Sequence, residues 1–131
     1  MSIYLHATLH TDTEDYPLFL EVCATPGKLR QGMMGREEWS PINGMLFVFP
    51  TEDAHTMWMQ NTPLPLDIVF LDDDQIVVGV EYATKPFSEA AITCAHPSRY
   101  VLELPAGAAM NMEVSQGDVL VLEREGTHAT A

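Results

Sequence analysis

Ile3, Leu5, Ala7 and Leu9 alternate with Tyr4, His6 and Thr8, and a period of two predicts a half-buried strand over 3–9. A polar run at 11–15 turns the chain, and 18–23 resumes as a second strand, so the two form a hairpin. Thr25-Pro26 then sets a capping residue before a proline at the first helical position, and Leu29 and Met33 follow one turn apart. This predicts a short helix ending at Gly35. Gly27 and Gly32 within it mean that packing, not propensity, must hold it.

The stretch 44–71, GMLFVFPTEDAHTMWMQNTPLPLDIVFL, carries the strongest apolar patterning of the chain. Its first run, 45–49, is apolar without a break, which in a strand means that both faces are covered. Residues 55–60 alternate His55, Met57 and Met59 against Thr56, Trp58 and Gln60, and predict another strand. Pro63 and Pro65 lack a backbone donor, so 61–65 is irregular. Residues 66–71 form an apolar strand broken by Asp67, the acids at 72–74 make a turn, and 75–82 return as its partner. Further on, 85–98 is mixed and irregular and 100–104 is a strand. Residues 106–112 make a helical turn or two, and 119–123 form the last strand. The sum is a mostly β (α+β) fold: one domain over 1–125 with a frayed tail at 126–131. The architecture expected is an antiparallel sheet or partly closed barrel of about eight strands with one or two short helices.

Composition narrows the partners. At 131 residues and 47% hydrophobic content the chain can bury a core without cross-links. Six Lys and Arg face nineteen Asp and Glu, a formal net charge of -13. A surface of that sign repels phosphate backbones, so neither nucleic acid nor an anionic membrane is an expected partner. The N-terminus has no basic leader, and no stretch approaches the ~20 apolar residues of a membrane helix. The expectation is a soluble cytoplasmic protein of open oligomeric state. Cys23 and Cys94 match no paired-ligand spacing; two buried, reduced thiols are the plain reading.

Asp67 is the residue whose apolar flanks demand explanation, since a buried carboxylate needs partners. Asn61-Thr62 in the proline loop and the guanidinium of Arg36 are the nearest candidates by sequence. Two readings follow. One is a structural knot. The other is a pocket in which Arg36, Trp58, Asn61, Thr62 and Asp67 hold a small polar ligand under an indole face. Separately, His55, Met57 and Met59 on one strand face, echoed by Met110 and Met112, offer the thioether and imidazole donors that favour Cu(I), although alternate methionines are commonly core filler. The five histidines form no zinc spacing. The acids at 72–74 lack the pattern of a calcium loop, the serines sit in no nucleophile elbow, and Cys94-Ala95-His96 is adjacent without implying a catalytic pair.

Taken together, Gly32-Met33-Met34-Gly35-Arg36, Gly44-Met45-Leu46-Phe47-Val48-Phe49, Trp58-Met59-Gln60-Asn61-Thr62, Pro65-Leu66-Asp67 and Tyr100-Val101-Leu102-Glu103-Leu104-Pro105-Ala106-Gly107 resemble, in order, the bacterial and archaeal family called domain of unknown function 192. Met33 stands where that family usually has Leu, and Gln60 where it usually has Lys. The resemblance implies a small β-rich fold and brings no activity, cofactor or catalytic residue; many members of the family carry an export signal. The expectation that results is a non-enzymatic binding domain with a polar and aromatic pocket for a small ligand. A Cu(I)-binding protein and an unrecognised hydrolase are the alternatives. No catalytic residue is assigned and the cofactor is unknown.

Overall fold

The computed structural model describes residues 2–123. The chain runs β1 (Ile3–His10), β2 (Asp15–Cys23), α1 (Pro26–Gln31), β3 (Gly44–Asp53), β4 (Leu66–Leu71), β5 (Val77–Glu81), β6 (Ser98–Pro105), α2 (Ala108–Asn111) and β7 (Val119–Leu122). The expected tail at 126–131 lies outside the described residues.

All seven strands join one sheet in the order β5-β4-β6-β3-β2-β1-β7. Its pairs are antiparallel except β2 with β3, which run parallel. A parallel neighbour cannot be reached through a tight turn, so residues 24–43 cross over one face of the sheet and carry α1 with them. The sheet curls until its two ends meet: Ile76 bridges Val119, and Leu120 N–H donates to the Gln75 carbonyl at 3.0 Å. It is a curled half-barrel closed at one corner.

The curl sorts the core into two clusters. Ala7, Leu9 and Leu120 from one end of the sheet pack with Val69, Leu71 and Val77 from the other, which only a concave face permits. The convex face carries Met45, Phe47, Ile68, Phe70 and Val101, and is covered by Met33, Ile42, Met57 and Met59 from the connections. Every residue of β4 is buried, because successive side chains serve the two clusters in turn. The apolar run that begins β3 has the same cause.

Two expectations are corrected. The strand over 55–60 does not enter the sheet. Strand β3 runs on to Asp53, where the Asp53 side chain accepts from Ala54 N–H at 2.7 Å and turns the chain. The next segment is extended and touches Ile92 through one bridge at Met57. Its alternation is real, with Met57 and Met59 buried and Trp58 51% exposed, but it serves a strap lying on the sheet. Among the described residues the strands number seven, in keeping with the mostly β, partly closed sheet of about eight that the sequence led one to expect. Finally, α1 ends at Gly32, before Gly35. Thr25 caps its start by accepting from Lys28 N–H at 3.3 Å, and Gly32 stops it at φ 46°, ψ -127°. A Cβ there would stand 2.9 Å from Phe47 Cζ.

Candidate functional site

Asp67 is buried, 1% exposed, but its partners differ from those expected. Its Oδ1 accepts from Ala83 N–H at 2.8 Å, and its Oδ2 accepts from Gly107 N–H and Ala109 N–H, both at 2.9 Å. The last two are orphan donors at the start of α2, whose cap position is Gly107 and has no side chain to offer. A carboxylate from a distant strand thus does the work of a local capping residue. Neither Arg36 nor the 61–65 loop touches it. The reason is register: Asp67 is on the concave side among α2 residues, and Arg36 is in the crossover on the convex side.

Arg36 instead places Nη2 2.7 Å from Oε1 of Glu21, which is 2% exposed. Asn61, at φ 54°, contributes its backbone, with its carbonyl accepting from Gly35 N–H at 2.8 Å; this ties the proline loop to the exit of α1. Thr62 is buried, and its hydroxyl donates to the Gln60 carbonyl at 3.1 Å.

A row of side chains crosses the convex face. Glu21 of β2 pairs in register with Met45 of β3, Met45 with Glu103 of β6, and Glu103 with Ile68 of β4. Residues opposite one another in a sheet point the same way, so two carboxyls and two apolar side chains share that face. Above the row is a cavity of about 240 Å³. The roof is Gly32, Met33 and Met34 at the end of α1, the walls are Phe47 and Phe49 of β3 with Met57, Trp58 and Thr62 of the strap, and Glu103 is on the floor.

Glu103 is 3% exposed, and its Oε1 has no hydrogen-bond partner, the sole such buried side-chain atom among the described residues. Burial pushes its carboxyl up to about 8, so near neutrality it is mostly protonated. Cys23, on β2, is pushed up to about 12, first by burial and then by the negative charge of Glu21 and Glu103, with Lys28 and Arg36 opposing. It is a core thiol with no nucleophilic character at neutral pH.

Of the five residues expected to line a pocket, Trp58 and Thr62 lie on the cavity wall; Arg36 and Asn61 are not among its lining residues, Arg36 being held by Glu21 and Asn61 by Gly35, and Asp67 belongs to the opposite face. The three thioether and imidazole candidates do not converge. His55 stacks on Phe49 with ring centroids 3.8 Å apart and puts Nε2 2.9 Å from the Thr51 carbonyl. Met57 faces the cavity, and Met59 Sδ is 3.2 Å from the Thr84 hydroxyl. Among the described residues no group of three or more His, Cys, Asp or Glu could hold a metal ion. Asp72 Oδ1 accepts from Asp74 N–H and Ile76 N–H, so the acidic turn is a hydrogen-bonded hairpin end. Cys94 is free and half-buried beside Gly79, its Sγ 3.8 Å from the Val78 carbonyl, in a second hollow that His96 also lines.

Glu21 and Glu103 are the site residues that reading by sequence passed over. The rule applied to Asp67, an acid flanked by apolar residues, fits Leu20-Glu21-Val22 and Leu102-Glu103-Leu104 equally well. What the rule lacks is the register that brings the two onto one face.

No helix among the described residues is long and apolar enough to cross a membrane. Comparison with known proteins gives a consistent result. Among curated proteins none matches. A proposed transcription regulator of Sinorhizobium meliloti 1021 has a crystal structure similar to this one, with a TM-score of 0.88 and 36% identity over 92% of this chain and 95% of that one. A protein of unknown function from Novosphingobium aromaticivorans DSM 12444 is similar at a TM-score of 0.85 and 29% identity, over 89% of this chain and 84% of that one. The model of the DUF192 family, described as uncharacterized ACR, matches residues 7–122, and with the seven-stranded half-barrel beneath it the chain belongs to that family of unknown function.

Proposed function

We propose that this protein is a non-enzymatic binding domain that takes one small ligand in the cavity between α1, the strap at 54–65 and the convex face of the sheet. The observation that carries this reading is the buried carboxyl of Glu103, a residue that lines the cavity and whose Oε1 has no hydrogen-bond partner. A buried polar atom left without a partner costs roughly 1–3 kcal/mol, and a ligand group that pairs with it recovers that cost. Apolar walls with one or two fixed polar groups are the usual make-up of a small-molecule site. At about 240 Å³ the cavity lies below the ~300–1,000 Å³ typical of drug-sized ligands, so the ligand is a small one. Trp58, half exposed at the rim, supplies an aromatic face, and Thr62 stands opposite the end of α1.

An NMR titration of the labelled protein with a library of small fragments tests this. Shifts should gather at the Trp58 indole N–H and at the amides of Gly32, Met57 and Thr62. If every fragment that binds gathers elsewhere, or none binds, the reading fails.

A second reading takes its support from the relative described as a proposed transcription regulator. The net charge of -13 opposes direct contact with DNA, because phosphate binding needs clustered Lys and Arg. A mobility-shift assay at low salt with mixed-sequence duplex should show no complex; a salt-sensitive complex would favour this second reading.

A further inference from the structure

We infer that the ligand of this cavity is a small organic cation of the alkylammonium class, whose N–H donates to the Glu103 carboxylate while its alkyl part lies against Phe47, Phe49 and Trp58. The inference rests on the binding reading above and names the class of molecule bound.

Three independent observations support it. The first is the local charge count. The convex row holds two buried carboxyls, Glu21 and Glu103, and one guanidinium, Arg36, which is committed to Glu21 at 2.7 Å. Glu103 has no cationic partner and keeps its proton in the free protein near neutrality; a bound ammonium supplies the counter-ion that its carboxylate lacks. The second is the wall. Phe47, Phe49 and Trp58 all line the cavity, and aromatic faces attract cations and favour alkylated ammonium groups in particular. The sulfurs of Met33 and Met57 add polarizable contacts that suit an alkyl chain. The third is the whole-molecule charge of -13, which raises the local concentration of cations and lowers that of anions.

Burial alone raises the Glu103 carboxyl, and the charged and titratable groups on the elements nearby are few. From β2 come Glu21 and Cys23, from α1 Lys28 and the rim residue Arg30, and from the crossover Arg36; the β3 and β4 neighbours in register are Met45 and Ile68. Arg30 is exposed, so its repulsion acts through water and is weak. In the free protein burial keeps the Glu103 proton on until about pH 8. An alkylammonium arrives carrying its own proton, so binding below that pH ejects the Glu103 proton to solvent and leaves a carboxylate paired with a cation.

The experiment compares n-butylammonium, 1-butanol and butyrate on the intact protein, by NMR for location and by calorimetry in buffers of different ionisation enthalpy for protons. Butylammonium should shift the Trp58 indole and Gly32 amide saturably, bind about tenfold or more tighter than butanol, and release close to one proton at about pH 6.5 but almost none above about pH 9. Glu103→Gln, its fold checked by its amide spectrum, should bring butylammonium down to the affinity of butanol. If butanol binds in the cavity as tightly as butylammonium, or butyrate binds best, or no proton is released, the cation assignment is overturned while the binding reading stands. If none of the three shifts the cavity residues, both are overturned. The proton count is read on the unmodified chain and holds even if the variant misfolds.

Discussion

At the residue scale, three acids behave differently because their partners differ. Asp67 satisfies three backbone N–H groups from two separate connections. Asp67→Ala orphans all three and should lower stability by about 3 kcal/mol or more, read from urea denaturation. Glu21 is held by Arg36, and Arg36→Met strands a buried carboxylate at a cost of about 3–5 kcal/mol; adding Glu21→Gln should recover more than half, as a double-mutant cycle by denaturation would show. Glu103 works against the fold. Its folded pKa of about 8 is raised from 4.5, so the native state binds the proton more tightly than the unfolded one. Its contribution is therefore most favourable below about pH 4.5 and is lost progressively as pH rises to about 8. Glu103→Gln should match the parent near pH 4.5 and gain on it through that window by a few kcal/mol, measured as the difference between paired melts across pH. The burial of Asp67 was legible in the sequence from Leu66 and Ile68 on either side. Its partners were not, because backbone N–H groups at 83, 107 and 109 carry no side-chain signature and are brought in by the fold.

At the element scale, the alternation of β1 and the unbroken runs of β3 and β4 announced strands correctly, since the physics of one buried face or two is local. Residues 55–60 show where that logic stops. Alternating burial is needed by any extended segment laid on an apolar surface, and only free sheet edges decide whether it joins the ladder. Here both flanks of β3 are already taken by β2 and β6. The helix end illustrates the same limit, because Gly32 and Gly35 both invite termination and contact with Phe47 makes the choice. Gly32→Ala should be destabilising by about 1–3 kcal/mol from the left-handed φ alone, with a further cost as its Cβ meets the Phe47 ring. A melting curve measures the loss, and Phe47 ring resonances should move with it.

At the scale of the whole molecule, all but four of the acids among the described residues (Glu21, Asp67, Glu103 and Asp118) lie at least partly exposed, and nineteen acids against six bases make self-repulsion a standing term in its stability. Screening falls to a Debye length of about 10 Å at 0.1 M salt, so the midpoint of thermal unfolding should rise by several degrees between low and moderate sodium chloride. A flat response in calorimetry would mean that the acids are spaced widely enough not to interact. Fold class and the β1–β2 and β4–β5 hairpins were readable from the chain; the parallel β2–β3 pair was not, because nothing in a strand's own residues states the direction of its neighbour.

That parallel pair has a lasting effect. The strand ladder is complete without residues 24–42, which lie over it as a separate cover, so the roof of the cavity and the frame answer to different parts of the chain. Lengthening such a connection is inexpensive, about 0.6 kcal/mol for each doubling. The half-barrel can therefore keep its architecture while the crossover is rewritten and the cavity beneath it reshaped.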